Sequence, residues 1–120
     1  IAALKLGAAR VVGVDNDPQA LAASRDNAAR NGVAEKLRLV TPTDFAEEPA
    51  DALVANILAG PLAELAPRFA ACVKVGGALA LSGILAGQQD ELVERYAPAF
   101  EALAIDARED WIRISGRRRA

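Results

Sequence analysis

Hydrophobic positions along the chain fall into short apolar runs separated by longer stretches of helical periodicity. The first clear run, Val11-Val12-Gly13-Val14, ends in the acidic cluster Asp15-Asn16-Asp17, and Pro18 then opens an alanine-rich segment. This predicts a buried strand over Val11–Asp15 and a helix from Pro18 to about Asn31. Pro18 suits the first helical turn, Asp17 can cap it, and Asn31-Gly32 is a stop. On that helix Ala20, Leu21, Ala23 and Ala28 are expected to face the sheet, with Arg25, Asp26 and Arg30 toward water. Ahead of the strand, Ile1 to Leu6 reads as the tail of a helix whose start is absent, closed at Gly7.

Further along, Leu37–Val40 predicts a short strand, Thr41–Pro49 a polar loop, and Asp51–Asn56 (DALVAN) another buried strand. A helix is expected from Pro61 to Val73, then a turn at Gly76-Gly77 into a strand over Ala78–Ser82. Gln88–Tyr96 has helical spacing. Phe100–Arg108 and Trp111–Ser115 read as strands whose two-residue link, Glu109-Asp110, makes them an antiparallel hairpin. Strands apolar on both faces, alternating with helices, imply an α/β fold with a mostly parallel sheet covered on both sides. Ile57-Leu58-Ala59-Gly60 recurs as Ile84-Leu85-Ala86-Gly87, and both copies are expected to be strand-to-helix turns. One four-residue echo is too little for a repeat architecture.

Composition narrows the picture modestly. The chain has 120 residues, enough for one domain, and 52% of them are hydrophobic but only 4% aromatic. Small side chains of this kind let helices pack closely on a sheet. A net charge of -2 gives no general field for nucleic acid or an anionic membrane. The basic end Arg117-Arg118-Arg119 is expected to be a solvated terminus. Cys72 is the only cysteine, so no intrachain disulfide can form, and a cytoplasmic setting fits best. No apolar run approaches the roughly 20 residues that span a bilayer.

Candidate chemistry lies at the strand ends. An acid at the tip of the second strand of a doubly wound sheet accepts hydrogen bonds from the ribose hydroxyls of a nucleotide cofactor, which makes Asp15 a cofactor-binding candidate. Its alternative role is a strand-end turn cap, for which Asp17 competes. Such an acid normally follows a glycine-rich loop by about 20 residues. Only 14 residues precede Asp15, and they hold no G-x-G. Asn56, ending DALVAN, offers one acceptor and two donors at the cleft rim, or else bonds its own backbone as a turn residue. Ser82 and Gly83 stand at the next strand tip. With no histidine in the chain, a nucleophilic serine has no base to activate it, and a zinc site lacks ligands. No catalytic residue and no metal ligand is assigned.

VVGVDNDPQAL, SRDNAARNG, VANILAGPLAELAP, GGALALSGIL and DWIRISGRR together resemble the PrmA family, the S-adenosylmethionine-dependent methyltransferases that modify large-subunit ribosomal protein eleven. The likeness runs over essentially the whole chain, and NILAGPL followed by SGIL is its most specific part. It implies a Rossmann-like methyltransferase sheet with an antiparallel final strand, S-adenosyl-L-methionine as cofactor, and N-methylation of lysine side chains or a terminal amine on a large-subunit ribosomal protein. It also implies that Asp15 binds the cofactor ribose and that Asn56 lines the cofactor site beside the target amine. Asn56-Ile57-Leu58-Ala59 stands where other amino-methylating enzymes carry an Asn-Pro-Pro-aromatic motif. In that family a glycine-rich strand and loop and a substrate-recognition domain precede the segment corresponding to Ile1. Residues 1–120 are therefore expected to be the carboxyl-terminal part of one methyltransferase domain, lacking its first, central strand and inactive alone. No direct nucleic-acid or membrane partner is expected. The competing readings are a methyltransferase acting on RNA or a small molecule, a nicotinamide-dependent dehydrogenase, and an inactive truncated Rossmann-like module.

Overall fold

A computed structural model describes residues 1–45 and 48–120, which divide into two compact units, Ile1–Ala46 and Glu47–Ala120. The polar loop expected over Thr41–Pro49 lies partly outside the described residues, at positions 46 and 47.

The first unit holds helix α1 (Ala2–Lys5), strand β1 (Val11–Val14), helix α2 (Pro18–Arg30), one 3₁₀ turn (Ala34–Lys36) and strand β2 (Leu37–Val40). β1 and β2 pair in parallel, Val11 opposite Leu37 through Val14 opposite Val40. Its small core gathers Leu4, Ala28 and Val33, with Ile1, Ala8, Val11 and Leu37 packed around them. α2 starts as its sequence predicts: Pro18 occupies the first turn, and Asp17 accepts the Gln19 N–H at 2.9 Å. Its inner face differs in one position. Leu21 and Ala28 are buried and Ala20 and Ser24 half-buried, while Ala23 is exposed. Ser24 can sit there because its hydroxyl donates to the Ala20 carbonyl at 2.9 Å.

The second unit is a four-stranded mixed sheet in the order β3-β4-β6-β5, formed by Ala50–Asn56, Val73–Leu85, Trp111–Arg118 and Phe100–Arg108 respectively. β3 and β4 are parallel, while β6 runs antiparallel to both β4 and β5. The predicted closing hairpin is therefore present. Its turn carries Glu109 at a φ of 57°, and the Asp110 carbonyl accepts the Ala86 N–H at 2.8 Å. Helices α3 (Ala59–Glu64), α4 (Ala66–Ala71) and α5 (Gln89–Tyr96) share one core with the sheet, built on Leu62, Leu81, Ile84, Leu92, Phe100 and Ile114.

Four expectations need correction here. The single helix over Pro61–Val73 is two helices meeting at Leu65, because Pro67 has no N–H to continue the ladder. Gly76-Gly77 is not a turn between elements but an irregularity inside the long strand β4, where pairing jumps from Ala50–Val73 to Ala52–Ala78 and Gly76 takes a φ of 79°. The second Ile-Leu-Ala-Gly copy is not a turn like the first: Ile84 and Leu85 are still in β4, opposite Ile112 and Trp111. The expected burial on both faces also fails for β3. Leu53 and Ala55 pack inward, but Val54 is 78% exposed, since the helices of this unit join a core with only one face of that strand.

The arginine end is likewise not simply solvated. β6 continues to Arg118, and that side chain donates through Nε to the Ala70 carbonyl (2.9 Å) and through Nη1 to the Ala99 carbonyl (3.2 Å). Arg117 reaches the Gly76 carbonyl at 3.1 Å, and Arg119 reaches the Ala97 carbonyl at 2.8 Å. Ala70 lies in the last turn of α4 and Ala97 caps α5, so these cations satisfy carbonyls that a helix end leaves without partners.

α3 and α5 are joined by Tyr96, whose buried hydroxyl donates to the Leu62 carbonyl at 2.7 Å. Burial raises its pKa above the ordinary phenol value of 10.0. Folding thus binds the phenolic proton more tightly than the unfolded chain does, so this stability is fully present below about pH 10 and is lost as pH rises beyond it. Tyr96→Phe is expected to lower stability by about 1 kcal/mol at neutral pH and to flatten the loss above pH 10. Urea melts of both proteins at neutral and alkaline pH check this, and parallel losses in the two would remove Tyr96 as the cause.

Candidate functional site

The strand end at Asp15 is built by its own neighbours. Its backbone N–H donates to the Val40 carbonyl at 3.2 Å, which holds it at the tip of β1. Its Oδ1 accepts the Asp17 N–H at 2.9 Å, and Asp17 in turn caps α2. Asp15 is therefore a turn cap in this structure. The carboxylate is exposed, and its second oxygen and remaining lone pairs stay open to a ligand. Asp17 does the helix capping, as its position predicts.

Asn56 lies in the second unit. It is the last residue of β3, exposed, and in register with Ser82 of β4. Directly beside it, β4 bulges: pairing with β6 shifts between Leu81 and Ile84, and Gly83 adopts a φ of 82°. A Cβ on Gly83 would stand 2.6 Å from the Ile57 carbonyl oxygen and 2.9 Å from Asn56 Oδ1. Only a glycine lets the strand and the Asn56 corner approach this closely.

Asn56, Ile57, Leu58, Ser82 and Gly83 form one side of a cleft of about 910 Å³. The other side comes from the closing hairpin: Asp106, Ala107 and Arg108 of β5 with Trp111, Ile112 and Arg113 of β6. Arg113 donates to Asp106 Oδ2 at 3.0 Å, a pair that is more than half exposed on both sides. Trp111 is 54% exposed. Such a cleft, with a neutral amide, a hydroxyl, one aromatic ring and a short strip of charge, can seat and orient a polar ligand.

Sequence reasoning located Asn56, Ser82 and Gly83 but missed the hairpin wall. The available signal was the alternation Trp-Ile-Arg-Ile over residues 111–114, which turns Ile112 and Ile114 inward and leaves Trp111 and Arg113 outward. What that outward face borders depends on the strand order, which alternation does not give. Among the described residues no group of three metal-binding side chains occurs, and no helix is long and apolar enough to cross a membrane. Cys72 is buried at the end of α4.

Comparison with known proteins adds the missing context. A ribosomal protein L11 methyltransferase of Pectobacterium carotovorum is 59% identical over 121 residues, covering 100% of this chain and 41% of the relative. The Klebsiella pneumoniae protein of the same description is 56% identical over 119 residues, covering 98% of this chain and again 41% of its own length. The chain thus spans about two fifths of the curated relatives it matches. Among solved structures, a ribosomal protein L11 methylase from Lactobacillus delbrueckii superposes with a TM-score of 0.89 at 29% identity, covering 99% of this chain and 63% of that one. An RNA methyltransferase from Salinibacter ruber, in complex with S-adenosyl-L-homocysteine, shares the fold at a TM-score of 0.68 and 17% identity, covering 92% of this chain and 66% of that one. The architecture is the Rossmann-like fold of methyltransferases, mixed as the closing hairpin requires. The profile described as ribosomal protein L11 methyltransferase (PrmA) matches residues 1–119. This chain belongs to the PrmA family.

Proposed function

We propose that this chain is the carboxyl-terminal part of the methyltransferase domain of an S-adenosyl-L-methionine-dependent N-methyltransferase. Its substrate is a large-subunit ribosomal protein, methylated on lysine side chains or the terminal amine. The observation that carries this reading is the Asn56 corner: a neutral amide held at the carboxyl end of a parallel strand, at the rim of a cleft, in a chain of this family. Ligands of open α/β sheets bind outside such strand ends. The family match favours a protein substrate over RNA or a small molecule, and with the closing hairpin it disfavours a dehydrogenase.

The residues present suit the cofactor. Asp15 is an exposed, acceptor-only carboxylate with an oxygen to spare beyond its turn bond, the chemistry a ribose diol needs. When bound, S-adenosyl-L-methionine supplies an electrophilic methyl group. Asn56 offers its carbonyl oxygen to an amine N–H, orienting the nitrogen lone pair without adding charge. A lysine with a pKa of about 10.4 must lose its proton before it can attack, and an uncharged acceptor stabilises the ammonium form less than a carboxylate in its place would.

The test is methyl transfer from labelled cofactor to the large-subunit ribosomal protein by the longer protein that carries this chain. No label in any amine of that substrate, with cofactor bound, would overturn the reading. In the same protein Asp15→Ala is expected to raise the cofactor dissociation constant roughly tenfold or more, through lost charge-assisted bonds. Calorimetric titration reads this directly, and an unchanged constant would remove Asp15 from the site.

A further inference from the structure

Three charged side chains line the Asn56 cleft, all from the closing hairpin: Asp106 and Arg108 on β5 and Arg113 on β6. β3, the turn that follows it and β4 contribute only Asn56, Ile57, Leu58, Ser82 and Gly83, none of which carries charge. Asp106 is already engaged by Arg113 at 3.0 Å. The Arg108 side chain has no ion-pair or hydrogen-bond partner among the described residues, and the residue is exposed. The turn acids Glu109 and Asp110 follow it in the chain but do not line the cleft. Two guanidinium groups thus stand against one carboxylate, which leaves a surplus cation in a cleft meant for an amine.

Attraction of an ammonium ion would call for the opposite balance. We propose that Arg108 makes this cleft select the unprotonated form of the substrate amine. This rests on the N-methyltransferase reading above. A cation beside a bound amine disfavours its charged form, the same effect that activates lysine nucleophiles next to other cations. The ammonium releases its proton to water, and the nitrogen keeps the lone pair it needs for attack. No base in the cleft is required: the lining carboxylate is paired, and the chain has no histidine. Arg108 acts through charge at a distance, as an electrostatic positioning residue that does not touch the reacting atoms.

The experiment is the pH dependence of methyl transfer by the longer protein, wild type against Arg108→Gln, Arg108→Lys and Arg108→Glu. The kcat profile reports ionisation in the bound complex, and the kcat/KM profile that of free enzyme and substrate. Arg108→Gln is expected to move the rising limb of kcat up by roughly half a pH unit to one pH unit, a three- to tenfold loss near neutrality that narrows as pH rises. The kcat/KM limb stays in place. Arg108→Lys keeps the wild-type limb, and Arg108→Glu moves it further than Gln does. A loss by the same factor at every pH, or a lysine variant that behaves like glutamine, overturns the inference. Methyl transfer by wild type with an unmoved Arg108→Gln limb overturns it alone, whereas a wild-type protein that binds cofactor and methylates no amine overturns the amine reading together with it.

Discussion

Gly83→Ala is expected to destabilise the second unit by about 3 kcal/mol. Two costs add. A φ of 82° is unfavourable for any residue with a Cβ, by roughly 1–2 kcal/mol. The new methyl group would also stand 2.6 Å from the Ile57 carbonyl oxygen, a backbone atom that cannot rotate away, and overpacking of this kind costs about 1–3 kcal/mol. Gly87→Ala is the matched control. Its φ is 101°, yet nothing lies within 4 Å of the added Cβ, so it carries the conformational cost without the collision. Urea unfolding of both variants should show the Gly83 change as the larger by at least about 1 kcal/mol. Equal losses would mean that the Asn56 corner gives way freely and that Gly83 does not shape it. The same substitution pushes on Asn56 Oδ1, so it should also weaken whatever the cleft binds.

Arg118→Ala is expected to cost about 2–3 kcal/mol. The side chain is half-buried and bridges two carbonyls, those of Ala70 and Ala99, with charge-assisted bonds worth roughly 1.5–3 kcal/mol between guanidinium and acceptor. Arg118→Lys keeps the charge but replaces a planar fork with a single ammonium, so it should recover less than half of the loss. Full recovery by lysine would show that charge near the end of α4 suffices and that the bridge is incidental. Added salt should change the wild-type contribution little, in contrast to the exposed Glu91–Arg95 pair at 3.9 Å.

Much of this architecture was legible in the residues because local chemistry decides it. The acid-tipped strand at Val11–Val14, the Asp17 cap with Pro18 behind it, and the two-residue link Glu109-Asp110 each use side chains suited to only one kind of backbone. Pro67 carried its signal too, but Pro61 to Val73 is so evenly apolar that periodicity alone runs straight through the break. The arginine end was misread for a different reason. Three cations at a terminus look solvated unless one knows that β6 ends beside the carboxyl ends of α4 and α5, and that proximity belongs to the strand order. Of the candidate site, Asn56 and Asp15 could be read from strand ends. Asp106, Arg108, Trp111 and Arg113 could not, since a hairpin's outer face acquires a role only from what lies opposite it.

One residue also decides which letters of β4 belong to the interior. Leu79 and Leu81 are buried at alternate positions, opposite Gly116 and Ile114, so the next inward position by simple counting is residue 83. The bulge inserts one residue there, and the interior resumes at Ile84, opposite Ile112. The strand changes phase at Gly83 as a reading frame does at a single inserted base. Identical words then acquire different meanings: Ile57 in the first Ile-Leu-Ala-Gly is 39% exposed, and Ile84 in the second is 0% exposed. Removing residue 83 would restore unbroken alternation along β4 with Ile84 still inward, whereas flattening the bulge with every residue kept would turn Ile84 outward and Leu85 into the core.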